Sequence, residues 1–267
     1  MPHRTLTLAT LALATALSSA CGPSEPPPPL AEKAEKLEVK QPESPTAYAF
    51  DVVGDGAKVR FEMQAPLERQ DGDVPTEAVS GQINLDLKDF TKSTGLVAVD
   101  ISNLVIYQQL KQDEADAEYG TRETIAAQNE HMKAWLEIGP DTPPEQLEKN
   151  KLVQFSITEI TDASVKDVMA MGGAERKVTF TAKGEFLLHQ RKSPHEAKLE
   201  ATITFDGDKP TGLHVKSIEP LLVGLREHDV HPRTGFGQLA DKTLENLAPK
   251  VGKEASITVD LQAKPKA

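Results

Sequence analysis

Residues 176–205 read RKVTFTAKGEFLLHQRKSPHEAKLEATITF, two runs of alternating apolar and polar residues joined by a short polar turn. In the first run Val178, Phe180, Ala182, Gly184, Phe186 and Leu188 share a face, and Lys177, Thr179, Thr181, Lys183 and Glu185 share the other. In the second, Ala197, Leu199, Ala201, Ile203 and Phe205 fall together. The pattern predicts a long β-hairpin. A hairpin with one greasy and one wet face is marginal alone, so it requires a larger antiparallel sheet.

Working outward, the same period recurs on both sides. Tyr48, Phe50 and Val52 alternate before Gly54-Asp55-Gly56, and Val59, Phe61 and Met63 alternate after it, which predicts a first hairpin. After a loop at Asp71 to Pro75, Val79, Gly81, Ile83, Leu85 and Leu87 mark a strand, and Val97, Val99 and Ile101 another. Residues Asn103 to Asn150 break the pattern and read as an insertion or lid. It carries a helix around Thr124 to Ile138 and a second short one starting at Asp141-Thr142-Pro143-Pro144. Strands resume at Val153, Phe155 and Ile157, then at Leu213 and Val215, and at Leu221, Val223 and Leu225. Phe236, Leu239, Ala240, Thr243, Leu244 and Leu247 repeat with helical spacing before a last strand through Ala255, Ile257, Val259 and Leu261. Eight to ten antiparallel strands without βαβ alternation define an all-β protein. A lipocalin-like barrel with a helical insertion and a C-terminal helix before the last strand is the leading architecture, and a sandwich is the alternative.

The N-terminus reads as an address. Arg4 precedes a short apolar run, Leu6 to Leu17, and Ser18-Ser19-Ala20 lead into Cys21, the only cysteine. This is the pattern of a bacterial lipoprotein signal over residues 1–20. Acylation of Cys21 would anchor an exported chain to the cell envelope facing the periplasm, with the outer membrane favoured. Residues 21–45, rich in Pro, Glu and Lys, read as a tether, and residues 46–267 as the barrel domain. An extended tether at about 3.1 Å per residue would reach roughly 75 Å from the membrane. The net charge of −11 with no concentrated basic surface argues against nucleic acid as a partner.

Catalytic motifs are absent: there is no GxSxG, HExxH, Walker loop or GxGxxG, and no catalytic residue is assigned. The sharpest polar cluster is Arg226 to Arg233, containing His228, Asp229 and His231. Its spacing matches no metal-ligand motif, although His189 or His195 could join it through the sheet, and neither a metal nor a cofactor is expected. Either this corner closes the barrel through local ion pairs, or Arg226 and Arg233 meet the polar head of an amphiphile. The inward face of the hairpin mixes large Phe180, Phe186, Leu188, Leu199, Ile203 and Phe205 with small Ala182, Gly184, Ala197 and Ala201. Such a lining either packs solid or leaves an elongated apolar cavity, with Trp135 near a lid.

The order of these elements resembles the YceI-like family over Ala47 to Ala263. The pieces are Tyr48-Ala49-Phe50-Asp51 with Val59-Arg60-Phe61; Gly81-Gln82-Ile83-Asn84-Leu85; Val153-Gln154-Phe155-Ser156; Gly184-Glu185-Phe186-Leu187-Leu188; and Arg233-Thr234-Gly235-Phe236-Gly237. Many relatives carry a histidine-serine pair and paired phenylalanines where this chain has Val52-Val53-Gly54 and Trp135-Leu136-Glu137. The resemblance implies an exported lipocalin-like barrel that holds a polyisoprenoid or similar amphiphilic lipid. The expected function is therefore non-enzymatic: a membrane-anchored lipoprotein binding an isoprenoid quinone or polyprenyl lipid. The alternative is an envelope structural or interaction lipoprotein with a filled barrel.

Overall fold

The computed structural model describes residues 28–41, 47–65, 67–115, 118–231 and 253–266. The signal segment, Cys21, Arg233 and the helix expected at Gln238 to Ala248 lie outside the described residues. The strands are β1 (Glu32–Lys33), β2 (Tyr48–Ala65), β3 (Glu68–Asp73), β4 (Val79–Leu85), β5 (Thr94–Asp100), β6 (Val105–Leu110) and β7 (Leu152–Thr161). They continue as β8 (Glu175–Leu188), β9 (Arg191–Asp206), β10 (Lys209–Ser217), β11 (Leu221–Gly224) and β12 (Glu254–Pro265). Two α-helices, α1 (Ala126–Trp135) and α2 (Pro144–Asn150), separate β6 from β7.

Antiparallel pairing runs β2-β4-β5-β7-β8-β9-β10-β12, and β12 returns to β2, so eight strands close a barrel. This is the all-β lipocalin-like class expected from the alternation. Closure leaves these strands no free edge over the paired lengths, which removes the usual liability of a sheet. The hairpin β8–β9 is continuous over its length, with Phe180 opposite Leu199, Ala182 opposite Ala197 and Phe186 opposite Ser193. Its turn places both His189 and Gln190 in the left-handed region. His189 is held there by contacts from Nδ1 to the His228 carbonyl at 3.2 Å and from Nε2 to Glu137 Oε2 at 2.9 Å.

Three expectations are corrected. The first hairpin does not form: Tyr48–Ala65 is one 18-residue strand. Gly54 to Ala57 bulge out of register with β12, with Gly56 supplying φ +85°, and the chain continues because β12 pairs on both sides of the bulge. The loop contributes β3, which pairs with the far half of β2, and the insertion contributes β6, which pairs with β3, so the two extend as an arm beside the barrel. Finally, part of the tether is fastened. Residues 28–41 cross the outside of β9, β8 and β7 as a strap: β1 pairs with Arg191 and Lys192, the Ala31 amide donates to the Glu227 carbonyl, and Leu37 donates to Gln154 Oε1 at 2.8 Å. Leu37 is buried there against Leu96 and Leu187, two leucines on the outward face of the sheet. Burying that trio gives a polar segment an apolar reason to dock.

Candidate functional site

The barrel has two unlike ends. At one, Phe90 meets Phe180 edge to face with centroids 5.1 Å apart, and Phe50, Val168, Val178 and Ile203 are fully buried. Arg176 lies over the Phe205 ring at 3.8 Å and donates through Nη1 to the Val168 carbonyl at 3.0 Å, so its guanidinium is paired although buried. The Val168 amide donates in turn to the Leu87 carbonyl, fixing the short 3-10 turn Val168–Ala170 over the opening. This end is a plug.

The interior above it holds a cavity of about 220 Å³ with an almost wholly apolar wall. Its half-covered members come from the far half of β2 (Val59, Phe61), from β5 (Val97), from β7 (Phe155) and from β12 (Ile257, Val259). Phe61 packs against Gly72 of β3, where any Cβ would clash with the ring. Across the other end lies α1. Gln128, His131, Met132 and Trp135 fall three or four residues apart on one helical face, and all four line the cavity. Asn129 pins the helix to β6, accepting from the Ile106 amide at 2.9 Å and donating to its carbonyl at 3.0 Å.

Phe180, Phe186, Leu188, Leu199 and Trp135 therefore stand on the cavity wall. Ile203 and Phe205 do not. They face inward by parity, but they sit where β9 enters the plug: Ile203 pairs with Arg176 and Leu213, and Phe205 lies under the Arg176 guanidinium. Arg226 is also off the wall, in the turn that follows β11, where its carbonyl accepts from the Asp229 amide. The wall residues on β2, β5, β7 and β12 went unselected because alternation marks which face is inside and not which part of it is filled.

The histidine corner divides. His231 Nε2 contacts Asp229 Oδ1 at 3.0 Å, while His228, fully buried, turns the other way toward Ser193 and His195 of β9. Arg122, on the arm, bonds Asp71 and Asp73 at 2.8 and 2.9 Å. The Asp71 hydrogen bond, partly offset by burial, raises the Arg122 pKa above its ordinary value.

No family model and no curated protein matches this chain. Among solved structures, a polyisoprenoid binding domain from Saccharophagus degradans implicated in plant cell wall breakdown aligns with a TM-score of 0.48 and 11% identity. The alignment covers 82% of this chain and 99% of that one.

Proposed function

We propose that this protein is a lipid-anchored carrier that holds the apolar chain of an amphiphile, of the isoprenoid quinone or polyprenyl kind, inside its barrel. The observation that carries the reading is the cavity of about 220 Å³, apolar along nearly its whole wall and covered by an amphipathic helix. Apolar cavities of about 150 Å³ stay dry and take benzene-sized guests, so a larger one accepts a chain segment by partition. Each methylene moved from water contributes about 0.8 kcal/mol before ordering costs. The polar edges of α1, Gln128 and His131, lie where a head group would emerge. Anchoring through Cys21 rests on the sequence pattern of the first twenty-one residues.

The test is organic extraction of the full-length chain purified from bacterial membranes, with mass spectrometry of what is released. A discrete lipid near one equivalent, displaced by a lipophilic fluorescent probe and absent from a folded Ile257→Lys variant, is the expected result. A folded chain that neither yields lipid nor binds the probe would instead favour a filled-barrel interaction protein. Cys21→Ser should move the chain from the membrane to the soluble fraction.

A further inference from the structure

Beneath the strap, at the α1 end of the barrel, four polar side chains converge that the cavity does not use. Ser193 Oγ lies 3.0 Å from His195 Nε2, 3.0 Å from His228 Nε2 and 3.3 Å from Glu227 Oε1. Glu227 Oε1 lies 3.4 Å from His228 Nε2 and 3.6 Å from His195 Nε2. The two imidazoles stack with centroids 6.2 Å apart, each edge-on to Phe186. A tetrahedral ion with bonds of about 2.0–2.1 Å requires its donors to stand about 3.3 Å apart, close to these separations.

The proton count gives the cluster a direction. His228 Nδ1 is 2.9 Å from the Arg191 carbonyl, which only accepts, so Nδ1 carries the hydrogen and neutral His228 presents a lone pair on Nε2. A backbone carbonyl fixing one imidazole nitrogen so that the other is free to bind is the usual support for a metal ligand. His195 is likewise engaged by the Leu222 backbone. In this state two imidazole lone pairs and a carboxylate face one hydroxyl, whose single proton serves only one of them. The hydroxyl alone therefore leaves the cluster incomplete. Nor is this the geometry of a nucleophilic triad, because Glu227 faces the same imidazole nitrogens as the serine and so does not orient either ring from behind.

We propose that His195, Glu227 and His228 bind one Zn²⁺ ion, with the Ser193 hydroxyl closing the fourth corner. Two imidazoles and a carboxylate suit zinc and disfavour the all-oxygen ions calcium and magnesium. An entry path exists, since a surface groove between Gly184–Glu185, Pro194–Glu196 and Pro220–Leu222 reaches His195. The ion would join β9 to the turn after β11, whose Glu227 carbonyl already accepts from Ala31 of the strap. This site was not visible as a motif, because its ligands lie thirty-two and thirty-three positions apart on a strand and a turn.

The test uses the full-length chain, stripped with chelator and titrated with Zn²⁺ alone in competition with a chromophoric chelator. One equivalent should bind, the melting temperature should rise with it, and Co²⁺ should give the intense visible bands of a tetrahedral site. His195→Ala should weaken binding at least about 100-fold and Glu227→Gln at least about 10-fold. His214→Ala, which removes a half-exposed imidazole paired with Asp260, should change nothing. Circular dichroism checks each fold, and Glu227→Gln, at a half-exposed position, supplies the reading if His195→Ala does not fold. Absence of saturable binding near one equivalent, or affinity retained in every folded ligand variant, would overturn the assignment.

Discussion

The two ends of the barrel are built from the same kinds of residue on the same inward face, yet one is solid and the other hollow. At the plug, Ile203, Val168 and Val178 have no exposed surface, Phe90 meets Phe180 edge to face, and Arg176 covers Phe205. Toward α1, Val97, Phe155 and Ile257 are inward and apolar but only partly covered, with the cavity beside them. What differs is what reaches across. The plug receives Phe90 and the turn at Val168 from the loops that follow β4 and β7. The α1 end receives a helix that lies over the opening and leaves the space beneath it unfilled. Whether a barrel stores anything is thus decided by its loops, while its strands decide only that there is an inside.

The largest expected effect lies in the plug. Ile203→Ala should cost about 2–5 kcal/mol in urea unfolding, whereas Ile257→Ala, already beside empty space, should cost about 1 kcal/mol. Equal losses would erase the distinction between the ends. Arg176→Met keeps the stem but leaves the Val168 carbonyl without its donor and removes the contact with Phe205, a loss of about 1–3 kcal/mol by the same measurement. Filling the hollow end should do the reverse. Val97→Phe should leave stability within about 1 kcal/mol while abolishing probe binding, read by fluorescence titration.

The smallest effect is electrostatic. Asp100, at the α1 end of β5, is partly buried, which raises its pKa, but hydrogen bonds from Ser102 and the Lys151 ammonium outweigh burial and hold it below 3.8. A carboxylate whose pKa is lowered on folding stabilises the native state above its unfolded value, and loses that contribution as pH falls through the folded one. Asp100→Asn should therefore be slightly less stable at neutral pH, with the gap to the parent chain closing below pH 3.8, followed by thermal unfolding across pH.

Much of the barrel is legible because its strands alternate and one face is dry. The central hairpin, β4, β5, β7, β10 and β12 all announce themselves in this way, and α1 and α2 by helical spacing and Pro144. The arm is illegible for a physical reason. β3 reads ERQDGD, and its side chains are held by ionic and amide groups: fully buried Asp71 is held by Arg60 at 2.6 Å and Arg122 at 2.8 Å, and Gln108 donates to Glu68 at 2.6 Å. A search for apolar period cannot find a strand whose adhesion is charge. The strap escapes for the opposite reason, since one buried leucine in a polar run carries no period, and its receptors Leu96 and Leu187 look like isolated irregularities. Of the residues chosen as cavity lining, Phe180, Phe186, Leu188, Leu199 and Trp135 stand on the wall, whereas Ile203 and Phe205, where β9 enters the plug, do not. Distance along the barrel axis depends on loops that strand periodicity does not describe.

The strap also sets a leash length. It takes hold of the barrel from Ala31 onward, beside the β8–β9 turn and therefore at the α1 end. From Cys21 to Ala31 is ten residues, which even fully stretched span at most about 36 Å. In the proposed lipoprotein the barrel is thus moored close to the bilayer rather than floating at the end of a long line. The mooring point lies on the same side as the helix that covers the cavity, so in that proposal the doorway would be held toward the membrane and a hydrophobic guest would have only a short gap of water to cross.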